Sequence, residues 1–145
     1  MGTSTTHPAT RRGTAPVTRS LAARSGIALI SAVTGNLVLS QALAAAVDAD
    51  PDFVGLQAGS VAAASAVGVL LGVAAFAVLR RLGRQRLFVP LVALGALLSL
   101  GGPLSLLGAT PAEQPGVTDA AALALLPLHL LVAAVVAVVL PARSR

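Results

Sequence analysis

Four long apolar stretches, separated by short polar segments, dominate the hydropathy pattern of this sequence. They cover residues 26–47, 58–79, 87–107 and 119–140. Each is about 20 residues long, the length at which an α-helix crosses the ~30 Å hydrocarbon core of a bilayer. None alternates apolar and polar positions like a barrel strand, and none has the continuous polar face of a soluble helix. The pattern predicts an all-α bundle of four transmembrane helices.

The ends of the chain differ in composition from this membrane domain, which we place at residues 21–141. Residues 1–20 are rich in Thr, Ser, Pro and Arg and have no apolar periodicity, so they predict a disordered tail. Residues 142–145 form a short basic end.

The first apolar stretch also fits a second interpretation. Arg19 and Arg24 precede it and an alanine-rich segment ends it, which is typical of a cleaved signal peptide. We favour a retained span, because the stretch exceeds the usual signal core of about 7 to 15 residues and has Asn36 at its centre.

Composition excludes several classes of protein. Hydrophobic residues make up 56% of the chain and charged residues only 10%, too few for an ordinary soluble domain. The net charge of +5 does not indicate nucleic-acid binding, because no base-stacking aromatic residues lie among the basic ones. Cysteine is absent, so disulfides, thiolate metal sites and thiol catalysis are excluded.

Charged residues separate by sign along the chain. All five acids lie in, or directly after, the two loops that follow the first and third stretches: Asp48, Asp50, Asp52 and Glu113 in the loops, and Asp119 at the start of the fourth stretch. The arginines occupy the remaining polar segments, and the central hairpin holds Arg80, Arg81, Arg84 and Arg86. Cytoplasmic loops of membrane proteins carry an excess of Arg and Lys. The hairpin is therefore expected to determine topology, with both termini in the cytosol.

The acidic loop after the first stretch raises the question of a metal site. Asp48, Asp50 and Asp52 could bind a cation such as calcium. They lack the glycine and the distal glutamate of the twelve-residue calcium loop. We interpret them as a solvated turn and predict no metal.

Small residues recur on two of the predicted spans. Ser65, Gly68 and Gly72 lie on one face of the second span, and Gly95 and Ser99 lie on one face of the third. Small residues allow transmembrane helices to approach closely, so these five are predicted helix-packing positions. Homodimerisation through Gly68 and Gly72 is the alternative use of the first set.

Asn36 and His129 are the strongly polar residues near the middle of the first and fourth stretches. Since Asn36 shares a face with Ser40, and small residues surround both polar positions, we expect the two helices to meet. Asn36 would then bond to His129 or to a carbonyl freed near Pro127. The pair is either a structural clamp or, since ionisable intramembrane groups are often functional, part of a proton or substrate path.

Three segments resemble a known group of proteins. They are Gly35-Asn36-Leu37-Val38, Phe76-Ala77-Val78-Leu79-Arg80-Arg81 and Leu128-His129-Leu130-Leu131-Val132-Ala133-Ala134. The chain resembles small four-helix actinobacterial integral membrane proteins classed as a domain of unknown function. That resemblance implies four retained spans and marks Asn36 and His129 as family-like positions, but it implies no activity or cofactor.

These observations predict a multi-pass protein of a bacterial inner membrane that is a structural or accessory component and not an enzyme. Its expected partners are the lipid bilayer and either further copies of itself or another membrane protein. The alternative is a small transporter or channel subunit acting as a homo-oligomer, with a path lined by Asn36, Ser40 and His129. A membrane enzyme is disfavoured, because the chain lacks paired nucleophiles and bases.

Overall fold

The computed structural model describes residues 17–141, with side chains from residue 21 onward. The predicted tail over residues 1–16 and the basic end at 142–145 lie outside the described residues. Helix α1 already begins at Val17, so the last four residues of the predicted tail, 17–20, are helical. Neither glycine nor proline occurs between Val17 and Ser25. Nothing in this stretch therefore stops the first membrane helix from extending towards its N-terminus.

The described chain is helical, in the order α1 Val17–Ala46, α2 Ala58–Arg81, α3 Phe88–Ser99, α4 Gly101–Leu104 and α5 Asp119–Val139. Two 3₁₀ turns, Val54–Leu56 and Gln85–Leu87, precede α2 and α3. Four helical segments are long and apolar enough to cross a membrane: Leu21–Ala46, Ala58–Arg81, Gln85–Leu104 and Asp119–Val139. The chain thus has the helices of a multi-pass membrane protein, all-α as its hydropathy pattern predicts.

Helix α5 lies at the centre of the packing. It contacts α1, α2 and α3, while α1 also packs along α2. Helix α3 packs mainly on α5 and touches α2 over only a short distance. A lateral opening between α2 and α3 follows from this arrangement.

Two apolar clusters fill the bundle, one towards each end. One is centred on Phe53 and the loops after α1 and before α5. The other surrounds Phe76 and Phe88, whose rings meet edge to face with centroids 4.9 Å apart. Arg24 lies at this second end, where its Nη1 donates to the carbonyl oxygen of Leu140 at 3.3 Å. The beginning of α1, the arginine hairpin and the end of α5 thus share one end of the bundle, and the acidic loops share the other.

The third span is interrupted near its far end. Helix α3 stops at Ser99, and the short α4 resumes at Gly101. Pro103 has no N–H to donate to the carbonyl of Ser99, and the two preceding glycines add no helix propensity. The sequence Gly101-Gly102-Pro103 predicts this interruption of the third helix near its far end.

The two acidic loops pack against each other. Asp50 Oδ1 accepts a hydrogen bond from the backbone N–H of Asp52 at 2.8 Å, which closes a local turn. Gly116 has a φ of +69°, and a Cβ there would lie 2.7 Å from the backbone nitrogen of Phe53. Glycine at this position therefore permits both the left-handed backbone and the close approach of the loops.

The carboxylate of Glu113 offers a test of the second loop. Its Oε2 accepts hydrogen bonds from the backbone N–H and the hydroxyl of Thr110 at 2.8 and 2.9 Å. These two bonds, the backbone one first, hold the pKa of Glu113 below its usual value. The ionised form therefore stabilises the loop above the unfolded-state pKa, and this contribution is lost as pH falls through the lower folded-state pKa.

We expect Thr110→Val to raise the pKa of Glu113 part of the way back to its usual value, since the backbone donor remains. NMR titration of the side-chain carboxyl carbon in micelles measures this change. Ser105→Ala, which removes an exposed hydroxyl elsewhere at the same end of the bundle, is the control. An unchanged pKa in the Thr110 variant would contradict the role of its hydroxyl.

Candidate functional site

A buried polar layer lies between the two apolar clusters. Asn36 on α1 is only 3% exposed, and its Nδ2 donates to Ser65 Oγ on α2 at 2.8 Å. The same nitrogen donates to the carbonyl oxygen of Leu128 on α5 at 3.1 Å. One amide group therefore joins three helices in the middle of the bundle.

The partners of Asn36 determine which way its amide points. The Leu128 carbonyl can only accept a hydrogen bond, so the amide nitrogen must face it. Ser65 uses its own proton to donate to the Val61 carbonyl at 2.7 Å, which leaves its oxygen free to accept from Asn36. The other amide atom, Oδ1, is buried and has no partner among the described residues. Such an acceptor is costly unless something else satisfies it.

His129 does not bond to Asn36, so of the two expected partners of Asn36 the imidazole is not the one that the structure has. Its Nδ1 lies 2.9 Å from the carbonyl oxygen of Leu125, one turn earlier in the same helix. Asn36 contacts the carbonyl of Leu128, next to Pro127. This is not the carbonyl that the proline frees, because the missing N–H of Pro127 leaves the carbonyl of Leu123 without its helical partner. Asn36 and His129 therefore belong to neighbouring but separate hydrogen bonds.

Ser40 lies on the same side of α1 as Asn36. It is 0% exposed, and its Oγ donates to the carbonyl of Leu37 in its own helix at 3.0 Å. Ala32, one turn before Asn36, is also fully buried. This face of α1 is closed by packing.

The predicted packing residues divide into two groups. A Cβ at Gly68 would lie 2.9 Å from Val132 Cγ1, and one at Gly72 would lie 2.5 Å from Val136 Cγ1. These glycines lie at the close contact of α2 with α5. Gly95 and Ser99, in contrast, are exposed, and a Cβ at Gly95 would meet nothing within 4 Å. The bundle itself therefore does not use these two residues for packing, and packing at Gly95 and Ser99 stays a prediction.

Gly95 and Ser99 line a cavity of about 790 Å³ between α2, α3 and α5, whose α2 wall includes Gly68 and Gly72. Its size is within the usual range for sites that bind small molecules. The walls are apolar apart from five residues: Asn36, Ser60, Ser65, Ser99 and His129. No carboxylate, arginine or lysine lines it. The cavity is thus suited to an uncharged, mostly apolar molecule.

Comparison with known proteins gives no relative to guide the interpretation. No family model, no curated protein and no solved structure matches the chain. Membership in the actinobacterial family therefore stays a hypothesis. What stands is four packed helices, each long and apolar enough to span a membrane.

Sequence reasoning missed Ser65 as the polar partner of Asn36, and it missed the cavity. The sequence predicts Ser65 as a packing residue because it is small and shares a face with Gly68 and Gly72. In the structure its hydroxyl also donates to the carbonyl of Val61, four residues earlier. The signal that could have found the pairing is depth, since Ser65 lies near the middle of its span as Asn36 does. No sequence signal marks the cavity, because its walls are as apolar as the lipid-facing surfaces.

Proposed function

We propose that this protein is a non-enzymatic accessory component of a bacterial inner membrane, with both termini and the arginine hairpin in the cytosol. The separation of charge supports this orientation. Arg24 and the hairpin lie at one end of the bundle, and Asp48, Asp50 and Asp52 lie at the other. Transfer of the hairpin would move four arginines through hydrocarbon, at about 2.5 to 3.5 kcal/mol for each residue placed at the centre.

The closed interface between α1 and α5 is the observation that supports the accessory role. A solute path along this interface would need Asn36 and Ser40 to face water, but they are 3% and 0% exposed. Asn36 is also committed to Ser65 and Leu128 across the bundle. Opening a path here would break these bonds.

A non-enzymatic role is supported by the chemistry of the polar layer. His129 is the one imidazole among residues 21–141, and its Nδ1 bonds to a carbonyl of its own helix. General acid–base or nucleophilic catalysis needs a second group within hydrogen-bond reach. The cavity walls offer serines, but none is hydrogen-bonded to His129.

A small transporter or channel subunit acting as a homo-oligomer is the second candidate. The cavity favours it, because Asn36 and His129 lie in one wall and further copies could enclose the opening between α2 and α3. A bundle of four helices alone leaves little room for a solute path, so this role depends on oligomerisation.

Cysteine accessibility separates the two candidates, since the chain contains no cysteine. We expect single cysteines at Asn36, Ser40 and His129 to resist a membrane-impermeant thiol reagent in intact and permeabilised cells. A cysteine at Ala49 should react in intact cells, and one at Gly83 only after permeabilisation.

Each outcome is informative. Labelling at the three central positions would show a water path and favour transport. Labelling of Gly83 in intact cells would reverse the proposed orientation. The two loop positions are the controls for expression and membrane insertion, because both lie outside the spans.

A further inference from the structure

We propose that the cavity between α2, α3 and α5 binds an uncharged lipophilic molecule that carries a hydroxyl group. The molecule would enter sideways from the bilayer, and its hydroxyl would donate to the polar wall formed by Asn36 and His129. This site rests on the proposed function in one respect, since it requires the centre of the bundle to be dry.

Entry from the bilayer follows from the exposed residues around the opening. Apolar side chains on both sides of it are more than two-fifths exposed: Val67 and Leu71 on α2, and Leu91, Leu94 and Leu98 on α3. Along α2 the lining runs from Ser60 to Ala75, about 22 Å at ~1.5 Å per residue. An elongated apolar body fits such a groove better than a compact one.

The polar wall selects for a hydrogen-bond donor. Asn36 Oδ1 is a buried acceptor without a partner, in a residue that lines the cavity. The Leu125 carbonyl accepts from His129 Nδ1, so Nε2 is the acceptor of the neutral ring. No described residue donates to Nε2. A hydroxyl can donate to Nε2, or to Oδ1 after a small local movement because Oδ1 is itself fully buried, whereas a ketone or an ether offers only a further acceptor.

The position of this wall argues against an ordinary phospholipid. Asn36 lies midway between Arg24 and Asp48 in sequence, about 18 Å of helix from either charged end. A charged headgroup at that depth would be buried without a counter-ion, because no charged residue lines the cavity. A single uncharged hydroxyl on an apolar body avoids this cost.

Photolabelling tests the site directly. The full chain in lipid nanodiscs is irradiated with a long-chain alcohol bearing a diazirine, or with the matching methyl ether, and labelled residues are located by mass spectrometry. We expect the alcohol to label the cavity walls roughly three- to tenfold more than the ether, as one hydrogen bond would give. Equal labelling by the two probes would overturn the role of the hydroxyl.

Three variants define the site. Gly95→Leu should fill the cavity without a clash and abolish labelling there, whereas Gly26→Leu on α1, which also meets no neighbour within 4 Å and lies outside the lining, should not. Asn36→Leu should remove at least half of the preference for the alcohol. Retained labelling in Gly95→Leu, or a full alcohol preference in Asn36→Leu, would contradict the proposal.

Two further results would distinguish a bound lipophilic molecule from a second copy of the chain in the groove, and this inference from the proposed function. Disulfide formation between single cysteines at Gly95 of two copies would show that a second copy fills the groove, and would overturn the binding site. If the cysteines at the bundle centre stay unlabelled in cells and the alcohol fails to label the cavity, this inference is wrong while the proposed function stands.

Discussion

Gly72→Ala is expected to destabilise the bundle by about 1 to 3 kcal/mol, the usual cost of overpacking a core. The new Cβ would lie 2.5 Å from Val136 Cγ1 and 3.2 Å from Cγ2. Val136 cannot swing away, because it is 2% exposed and a β-branched residue in a helix has one strongly preferred rotamer. The helices α2 and α5 must therefore separate where they pack most closely.

Gly59→Ala is the matched control in the same helix. A Cβ there meets nothing within 4 Å, and alanine is a better helix former than glycine by up to about 1 kcal/mol. We therefore expect opposite signs for the same substitution at Gly59 and Gly72. Titration with SDS in mixed micelles measures the stability of both variants. Unfolding is detected by the reactivity of a single cysteine that replaces the buried Ser40.

The partner substitution identifies the clash. Val136→Ala removes both γ-carbons, and the closest remaining atom is Val136 Cβ at 3.5 Å, an ordinary contact. The double variant Gly72→Ala with Val136→Ala should therefore be more stable than the sum of the two single effects, by more than ~1 kcal/mol. Simple additivity would mean that the two residues do not meet in the folded protein.

The helices themselves could be located from the sequence for a simple physical reason. Hydrocarbon excludes charge, so the polar segments at Asp48–Gln57, Arg80–Arg86 and Gly108–Thr118 had to lie between spans. The structure has its loops and turns at these places. The structure differs from an uninterrupted helix over each apolar stretch mainly in three places: the N-terminal limit of α1, the break at Leu100, and the third span, whose helix ends at Leu104.

Which faces meet could be predicted only in part. A glycine shows that another helix can approach, but not that one does. Gly72 meets Val136 of α5 and Gly95 meets no neighbour within 4 Å, although both lie among similar small residues and both line the cavity. In a soluble helix the polar face would have resolved this ambiguity, but a membrane helix is apolar on all sides. For the same reason the sequence leaves two partners on α5 open for Asn36, and only the structure places it on the Leu128 carbonyl, beside Pro127, instead of on His129.

The strongest effect is expected from Asn36→Asp. The carboxylate cannot donate to the Leu128 carbonyl, so this interhelical bond is lost and like partial charges face each other. The bond to Ser65 survives only if the hydroxyl turns its proton from the Val61 carbonyl to the carboxylate. A central aspartate alone costs about 2.5 to 3.5 kcal/mol on insertion. We expect little folded protein in the membrane, measured by yield after extraction and by the SDS midpoint of what remains.

Asn36→Leu separates the loss of hydrogen bonds from the burial of charge. Such bonds in membranes average about 0.6 kcal/mol, and leucine also removes the unpartnered Oδ1, so the net change should be about 1 kcal/mol or less. Gln57→Glu, an isosteric change at an exposed position, controls for the added charge itself. If the leucine variant were as unstable as the aspartate variant, the three-helix clamp would contribute more than hydrogen bonds of this kind normally do. If instead the aspartate variant folded normally, Asn36 would have to face water, and the closed α1–α5 interface on which the accessory role depends would be wrong.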